Sequence, residues 1–441
     1  MKSIFGALVL LVAGLVLRLE LLVYAMYVLL GVLLISRVLA RTWIESLSAK
    51  RHCSETRLEV GGTLPVEVTL SNSSPLAVPW ALIEDSLPTE ALTASPAQLK
   101  FEGSRMQLVR IPSHGEKVVS YEVTFLRRGY YQVGPLLVES GDLFGLHRRY
   151  RVLTLPHYVT VLPHVVPLEG YDIASPRPLG EIKLTHRLFE DTARISGVRQ
   201  YVEGDAFNRI HWRATARTGT LQCKTFEPSC IAGATLVLDF QRDNYNVPGG
   251  EYRAELAVTT IVSIANALYE LGEQFAFATN ARDAAERVAT EGWRFEFTTR
   301  DAAQKVVAPP QLKDRLRPVI LEANTGDEHF NHLRETLARV ELNDGLTLSQ
   351  LVDEVESRLS RDTTVIVVVP QITEETAFAL GTLQRSGFKV LAVMITFGDE
   401  DYRDWAKPPT WAGRLLAEGV EFRWIFDEAG LSSLCASEVW R

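Results

Sequence analysis

Cysteine is scarce here. Cys53, Cys223, Cys230 and Cys435 are four thiols spread over 441 residues, without a C-x-x-C pair. Such spacing argues against a disulfide scaffold and excludes a cysteine-rich zinc centre. The chain also lacks a G-x-x-x-x-G-K-[ST] phosphate loop, a G-x-G-x-x-G, an H-E-x-x-H and a G-x-S-x-G. The common nucleotide, zinc-protease and nucleophile-elbow chemistries therefore have no local signature, and no cofactor is expected. Positive charge is in deficit: 46 Lys and Arg face 54 Asp and Glu, a formal net charge of −8. Bulk charge of that sign repels nucleic acid, so no nucleic-acid partner is expected. Hydrophobic residues at 46% and charged residues at 23% fit globular domains. They exclude a wholly disordered, collagen-like or multi-pass membrane chain.

Apolar residues are concentrated at the start. Ile4–Leu17 and Leu21–Ile35 are almost purely apolar, separated by a charged Arg18-Leu19-Glu20 break. The first run, 14 residues, would span roughly 21 Å as a helix, short of a hydrocarbon core of roughly 30 Å. The second extends to about Ala40 if Arg37 snorkels. An ion pair in mid-membrane costs several kcal/mol, whereas a charged turn at an interface costs little. Residues 1–42 are therefore predicted to form a transmembrane helical hairpin. A single span with a buried charge pair is the alternative. A cleaved signal peptide fits less well, because the apolar region is too long and no A-x-A site follows. Lys2 precedes the hairpin, and Arg37, Arg41, Lys50 and Arg51 follow it. Positive flanks stay in the cytoplasm, which predicts the cell (inner) membrane, with residues 51–441 facing the cytoplasm.

Residues 55–165 read as an antiparallel β-sandwich. Leu64–Leu70 and Val118–Phe125 alternate apolar and polar with period two, and turn clusters such as Gly61-Gly62 and Ser113-His-Gly115 separate the runs. Short strands are expected at Tyr130–Val133, Leu136–Glu139 and Tyr158–Leu162. Pro-rich Pro163–Pro178 reads as a connector, part of a linking segment 166–230. From residue 231 the pattern becomes α/β. Apolar strands at Ala234–Phe240, Gln274–Thr279, Thr363–Pro370, Lys389–Phe397 and Glu421–Phe426 alternate with helical runs at Glu251–Leu271, His329–Val340, Leu348–Leu359, Glu374–Ser386 and near Trp411–Glu418. Continuous apolar strands alternating with helices predict a mainly parallel, doubly wound sheet. Arg282–Leu321 is ambiguous, with Trp293–Thr298 as a further candidate strand.

The densest segment lies between Gly197 and Gly219. Asp205 suits an N-cap for a helix from Ala206, and Gly219 suits its C-terminal stop. Arg209, Arg213 and Arg217 recur every four residues, predicting one basic helical face. That face either binds an acidic partner or pairs with Glu203, Asp205 and Glu227 to clamp the domains together. On another helix, His329-x-x-His332 with Glu335 offers a possible metal face, against the plainer reading of a solvated surface.

The order Arg199, Tyr201, Gly204-Asp205, Arg209, Ile210-His211-Trp212, Arg213, Ala216-Arg217, Lys224 and Phe226-Glu227 resembles the signature of the bacterial family called domain of unknown function 58. Arg128-Gly129-Tyr130-Tyr131-x-Val133-Gly134-Pro135 and Asp142-Leu143-Phe144-Gly145-Leu146 are similar to its upstream motifs. The resemblance implies a membrane-anchored protein with a C-terminal von Willebrand factor A-like domain. It also implies association with a MoxR-type AAA ATPase and a transglutaminase-like membrane protein, and no established catalytic activity. Metal-binding A domains end their first strand in D-x-S-x-S; here the positions are Asp239, Gln241 and Asp243, with Thr347 matching the later threonine loop and no later Asp. Mg²⁺ demands near-octahedral oxygen ligation, so this site is expected to be degenerate and metal-free. Taken together, the expected function is a non-enzymatic, membrane-anchored interaction or scaffold protein. The alternative is a hydrolase using Asp239, Asp243 and His211 in a cleft between domains.

Overall fold

The computed structural model describes residues 2–168, 190–201, 210–228, 233–246, 249–291, 316–359, 363–396 and 420–432, with Leu415, Glu418 and Leu434. The chain divides into two compact units, residues 1–163 with 284–312, and residues 164–283 with 313–441.

Two apolar helices open the first unit, α1 (Lys2–Val16) and α2 (Glu20–Glu45). Arg18 takes a left-handed backbone (φ 52°) and α1 folds back on α2. The charged break is thus a turn between two helices. Among the described residues α2 alone is long and apolar enough to cross a membrane.

Eleven strands follow: β1 (Leu47–Cys53), β2 (Arg57–Glu59), β3 (Thr63–Asn72), β4 (Val78–Asp85), β5 (Leu99–Gly103), β6 (Met106–Ile111), β7 (Glu116–Phe125), β8 (Gly129–Val133), β9 (Leu136–Gly141), β10 (Arg148–Thr154) and β11 (His157–Leu162), with a short helix α3 (Thr89–Thr93) after β4. They form two antiparallel four-stranded sheets, β1-β3-β7-β5 and β10-β9-β4-β6, and a smaller sheet β2-β11-β8. The period-two runs become β3 and β7, whose alternate residues (Leu64, Val66, Val68; Tyr121, Val123, Phe125) share one core with Ile83 of β4 and Val138 of β9. Strand β4 itself had no period-two signal, because Val78-Pro-Trp-Ala-Leu-Ile83 is nearly continuous in apolar residues.

Helix α2 runs past residue 42 and joins β1 through Ser46 alone. Trp43, Ile44 and Leu47 are buried in the strand core. The carbonyls at the end of a helix lack intrahelical donors. Here Arg151 Nη1, on β10, lies 3.3, 3.0 and 3.2 Å from the carbonyl oxygens of Ile44, Glu45 and Leu47. A cation at that end also meets the negative pole of the helix dipole.

A buried ion pair crosses the same core. Arg51 Nε donates to Asp85 Oδ2 at 3.2 Å and its Nη2 donates to Oδ1, while Tyr121 Oη donates to Oδ2 at 2.8 Å. Burial and the adjacent carboxylate push the Tyr121 hydroxyl well above the usual tyrosine value, so it stays a donor. Arg51 Nη1 donates to the carbonyls of Val133 (3.2 Å) and Leu155 (2.9 Å). Gly134 packs against this guanidinium with φ 90°, and a Cβ there would fall on its nitrogens. Gly61 has a similar φ of 86° but open space around it.

In the second unit, β12 (Glu190–Gln200) and β13 (Gln222–Pro228) form a two-stranded antiparallel sheet, with helix α4 (Trp212–Thr218) between them in sequence. This region was expected as a connector carrying one helix, without the two strands. There follow β14 (Ala234–Leu238), α5 (Gly250–Glu270), β15 (Phe275–Thr279), β16 (Arg282–Asp283), β17 (Val319–Asn324), α7 (Asp327–Arg339), β18 (Val340–Glu341), α8 (Leu348–Val355), β19 (Thr364–Val369), α9 (Glu374–Arg385), β20 (Lys389–Ile395), β21 (Glu421–Ile425) and α10 (Glu428–Ser432); α6 (Ala284–Glu291) falls within the first unit. The main sheet has the order β17-β15-β14-β19-β20-β21, parallel except for β17, which runs antiparallel at the edge. Strand residues alternate between its faces. Leu236, Leu238, Phe275, Phe277, Ile366 and Val368 pack with α5 and α7. Val237, Ala278, Val365 and Val367 pack with α8 and α9. Burial on both faces explains why these strands read as unbroken apolar runs. The proposed strand Trp293–Thr298 and most of the helix near Trp411–Glu418 lie outside the described residues.

Gly134→Ala and Gly61→Ala both place a side chain at positive φ, but only the former meets a buried guanidinium that cannot retreat. The strained backbone costs roughly 1–2 kcal/mol in each, and overpacking adds about 1–3 kcal/mol at Gly134. Thermal melting of the full chain in detergent micelles should show a distinctly larger loss for Gly134→Ala. Equal losses would mean that the Arg51–Asp85 pair yields without cost.

Candidate functional site

Ligands of doubly wound sheets bind beyond the carboxyl ends of the strands, where the strand order reverses. Here that point lies between β14 and β19, since β15 continues on one side and β20 on the other. Asp239 follows β14 there, with no exposure to solvent. Its Oδ1 accepts from Asn280 Nδ2 (2.9 Å) and the Gln241 amide (3.3 Å), and its Oδ2 accepts from Asn244 Nδ2 (2.7 Å). Asn280, just after β15, also accepts from the Phe240 amide at 2.6 Å and donates to the Leu346 carbonyl at 3.0 Å. Asn343 Nδ2 donates to the Asn280 carbonyl at 3.1 Å. Gln371, after β19, donates to Asn244 Oδ1 at 3.2 Å. The edge is thus a chain of side-chain amides closing on one carboxylate. Burial raises the Asp239 carboxyl above its ordinary value, and the amide donors only partly oppose this.

The remaining positions expected to form a degenerate metal motif are dispersed in role. Gln241 gives Asp239 its backbone amide, and Asp243 is exposed on a single 3₁₀ turn, Arg242–Tyr245. Thr347 caps α8: its Oγ1 accepts from the Gln350 amide at 3.4 Å while Gln350 Oε1 accepts from the Thr347 amide at 3.1 Å, a capping box. Among the described residues no group of three or more His, Cys, Asp or Glu could hold a metal ion. Asn244, Asn280 and Asn343 were missed from the sequence; Asn280 and Asn343 had one available signal, an Asn within two residues of a strand end, and Asn244, on the 3₁₀ turn, had none.

His329 departs from both expectations. It is neither a metal face nor a solvated surface, but a buried residue whose Nε2 lies 2.9 Å from the Phe275 carbonyl and whose ring is 4.6 Å from the Phe275 ring.

The arginine segment also differs from expectation. Helix α4 starts at Trp212, with His211 as its N-cap: Nδ1 accepts from the Ala214 amide at 3.0 Å. Ile210 pairs with Cys223, and the His211 amide donates to the Gln222 carbonyl at 2.7 Å, which holds the preceding chain against β13 and starts the helix late. Asp205 is therefore not its N-cap. The expected stripe reduces on this helix to Arg213 and Arg217, both exposed beside Trp212, itself 67% exposed. Gly219 ends the helix in a left-handed conformation (φ 68°), as expected. Arg199 lies at the end of β12 and Tyr201 directly follows the strand, its amide donating to the Leu221 carbonyl at 2.9 Å. Gly204, Asp205 and Arg209 lie outside the described residues. His211 and Asp239, two groups of the hydrolase alternative, are thus both engaged in local structural hydrogen bonds.

A helix-flanked mixed sheet, preceded by antiparallel sheets and an apolar helix, is the class of architecture these features define. The family described as "Protein of unknown function DUF58" matches residues 197–299, which span α4, Asp239 and α5. The chain is 24% identical over 357 residues to "Uncharacterized protein YeaD" of Bacillus subtilis (strain 168), covering 80% of this chain and 77% of that protein. Both matches support the DUF58 family. Among solved structures, the CARDB domain of the PF1109 protein from Pyrococcus furiosus is 14% identical, covering 26% of this chain and 87% of its own, at a TM-score of 0.19. A PapD-like domain of human CEP192 is 18% identical, covering 26% and 84%, at a TM-score of 0.17. Scores so low carry no argument.

Because the folded protein holds the Asp239 proton more tightly than the unfolded chain does, its contribution is favourable at acid pH. It is lost as pH rises through the folded-state value. Asp239→Asn removes that ionisation, and Asn244 and Gln371 can turn their amides to restore complementary hydrogen bonds. The melting temperature of the variant should gain on the wild type between acid and neutral pH. A difference independent of pH would show that the buried carboxylate ionises at no cost.

Proposed function

We propose that this is a membrane-anchored, non-enzymatic interaction protein of the DUF58 family, made of a transmembrane hairpin, a β-sandwich and a von Willebrand factor A-like domain. The observation that carries the anchor is α2: 11% of its most apolar window is buried, far too little for a core helix. A bilayer is the natural cover for the remainder. The basic flank at Arg37 and Arg41 supports soluble domains facing the cytoplasm, by the positive-inside rule, at the inner membrane of a bacterium. The antiparallel edge strand β17 and the order of the main sheet support the A-like reading, and the two facing four-stranded sheets with a common core support the sandwich. The partners, a MoxR-type AAA ATPase and a transglutaminase-like membrane protein, rest on the family resemblance. Trp212, Arg213 and Arg217 on α4 form an exposed aromatic and basic surface suited to an acidic face of such a partner.

Purification of the full chain in mild detergent should bring the AAA ATPase with it, and Arg213→Glu with Arg217→Glu should abolish the association. These exposed substitutions should shift the melting midpoint by no more than about 0.5 kcal/mol equivalent. Retention of the partner by the double variant would remove α4 from the interface, and a C-terminal reporter active outside the membrane would overturn the topology.

A further inference from the structure

The loop between β9 and β10 exposes an unusual run of apolar side chains. Leu143 is 65% exposed, Phe144 67% and Leu146 49%. Exposed apolar clusters of this kind mark binding surfaces rather than chance. The loop is not slack. The buried Asp142 carboxylate accepts from the amides of Phe144 (3.0 Å), Leu146 (3.3 Å) and His147 (2.6 Å). The Trp80 indole N–H points at the Asp142 carbonyl, 3.4 Å away. A carboxylate that folds a loop onto itself while turning its apolar side chains outward is holding those side chains in readiness for a partner.

The position of the loop says which partner. Ser36, on α2, stands beside the Asp142 carboxylate. The apolar run of α2, Leu21–Ile35, ends one residue earlier. Further along, α2 is held to β10 by Arg151 at Ile44 and Glu45. From Ser36 to Glu45 the helix rises about 13 Å, so the loop lies at the membrane end of the helix–sheet contact and Arg151 at the far end. Arg148 and Arg149 follow the loop directly, a placement suited to lipid phosphates.

We infer that the Leu143–Leu146 loop is a second membrane contact, inserting its apolar side chains into the interfacial layer of the bilayer beside the point where α2 emerges. The inference rests on the reading of α2 as a membrane span. The loop works as interfacial anchors do, with apolar side chains at the headgroup and acyl boundary and basic residues just above. Together with α2 it fixes the first unit at two points, which sets its orientation on the membrane as well as its attachment.

The test uses the full chain in lipid nanodiscs containing anionic lipid, with a polarity-sensitive fluorescent amino acid (dansylalanine) encoded at one position at a time, so that the four native cysteines stay in place. Phe144→dansylalanine should show a blue-shifted emission that is quenched by lipids carrying a nitroxide at a shallow acyl position. Leu155→dansylalanine, 84% exposed at the opposite end of β10, should emit as in water and remain unquenched. Val28→dansylalanine in α2 should be quenched by deep nitroxides. If Val28 is quenched and Phe144 is not, the loop proposal falls and the anchor stands. If Val28 is unquenched, the anchor itself falls. Quenching at Phe144 that equals that at Leu155 would also overturn the proposal, since it would report general proximity to lipid. As an independent measurement, Asp142→Asn should leave the chain folded by circular dichroism but reduce the blue shift at Phe144, because the loop loses its anionic acceptor. An unchanged shift would show that the carboxylate does not shape the contact.

Discussion

The end of α2 is where the structure of the first unit is decided. A helix that stops against a sheet leaves carbonyl groups without donors, and in an apolar core each such group is costly. Arg151 supplies the missing donor to three carbonyls at once. Trp43, Ile44 and Leu47 place the same junction inside the core. With Ser46 as the only residue between α2 and β1, helix and sheet move as one body. The buried Arg51–Asp85 pair then ties β1 to β4, and through Tyr121 to β7.

The motifs that marked the first unit in the sequence turn out to serve this framework. Gly134 is needed because Arg51 occupies the space that a side chain would take. Gly129 approaches the Tyr131 ring, whose hydroxyl donates to the Arg127 carbonyl at 3.0 Å. Asp142 folds the following loop. A strong sequence signature here records backbone constraints at close contacts rather than a catalytic constellation.

Much of the second unit was legible because its strands are buried on both faces. Thr364–Val369 has no polar face to confuse the reading, and the boundaries of β14, β15, β19 and β20 fall within a few residues of the expected ones. The first unit was harder. β3 and β7 alternate cleanly, but β4 carries Pro79 and apolar residues on both sides, and β1 reads as polar because its outward residues are Lys50 and His52. The edge strand β17 lay in an ambiguous region, and nothing local announced its antiparallel direction. For the candidate site, the sequence pointed to Asp239 but not to its amide partner Asn280, nor to Asn343, which holds Asn280 from still farther along the chain. Proximity of that kind is a property of sheet order. The helix of the arginine segment began later than its best capping residue suggested, because pairing of Ile210 with Cys223 holds the chain extended up to His211.

If α2 crosses a bilayer as proposed, the packing of residues 36–45 against the sheet limits how it does so. Only Glu20–Ile35 of α2 remains to meet lipid, a length of about 24 Å at the usual helical rise. That is shorter than a hydrocarbon layer of roughly 30 Å. A helix welded to a folded unit cannot slide deeper to make up the difference, so the bilayer must thin around it, at a cost of a fraction of a kcal/mol for each ångström. A hairpin so inserted would sense thickness, partitioning toward thinner regions of membrane.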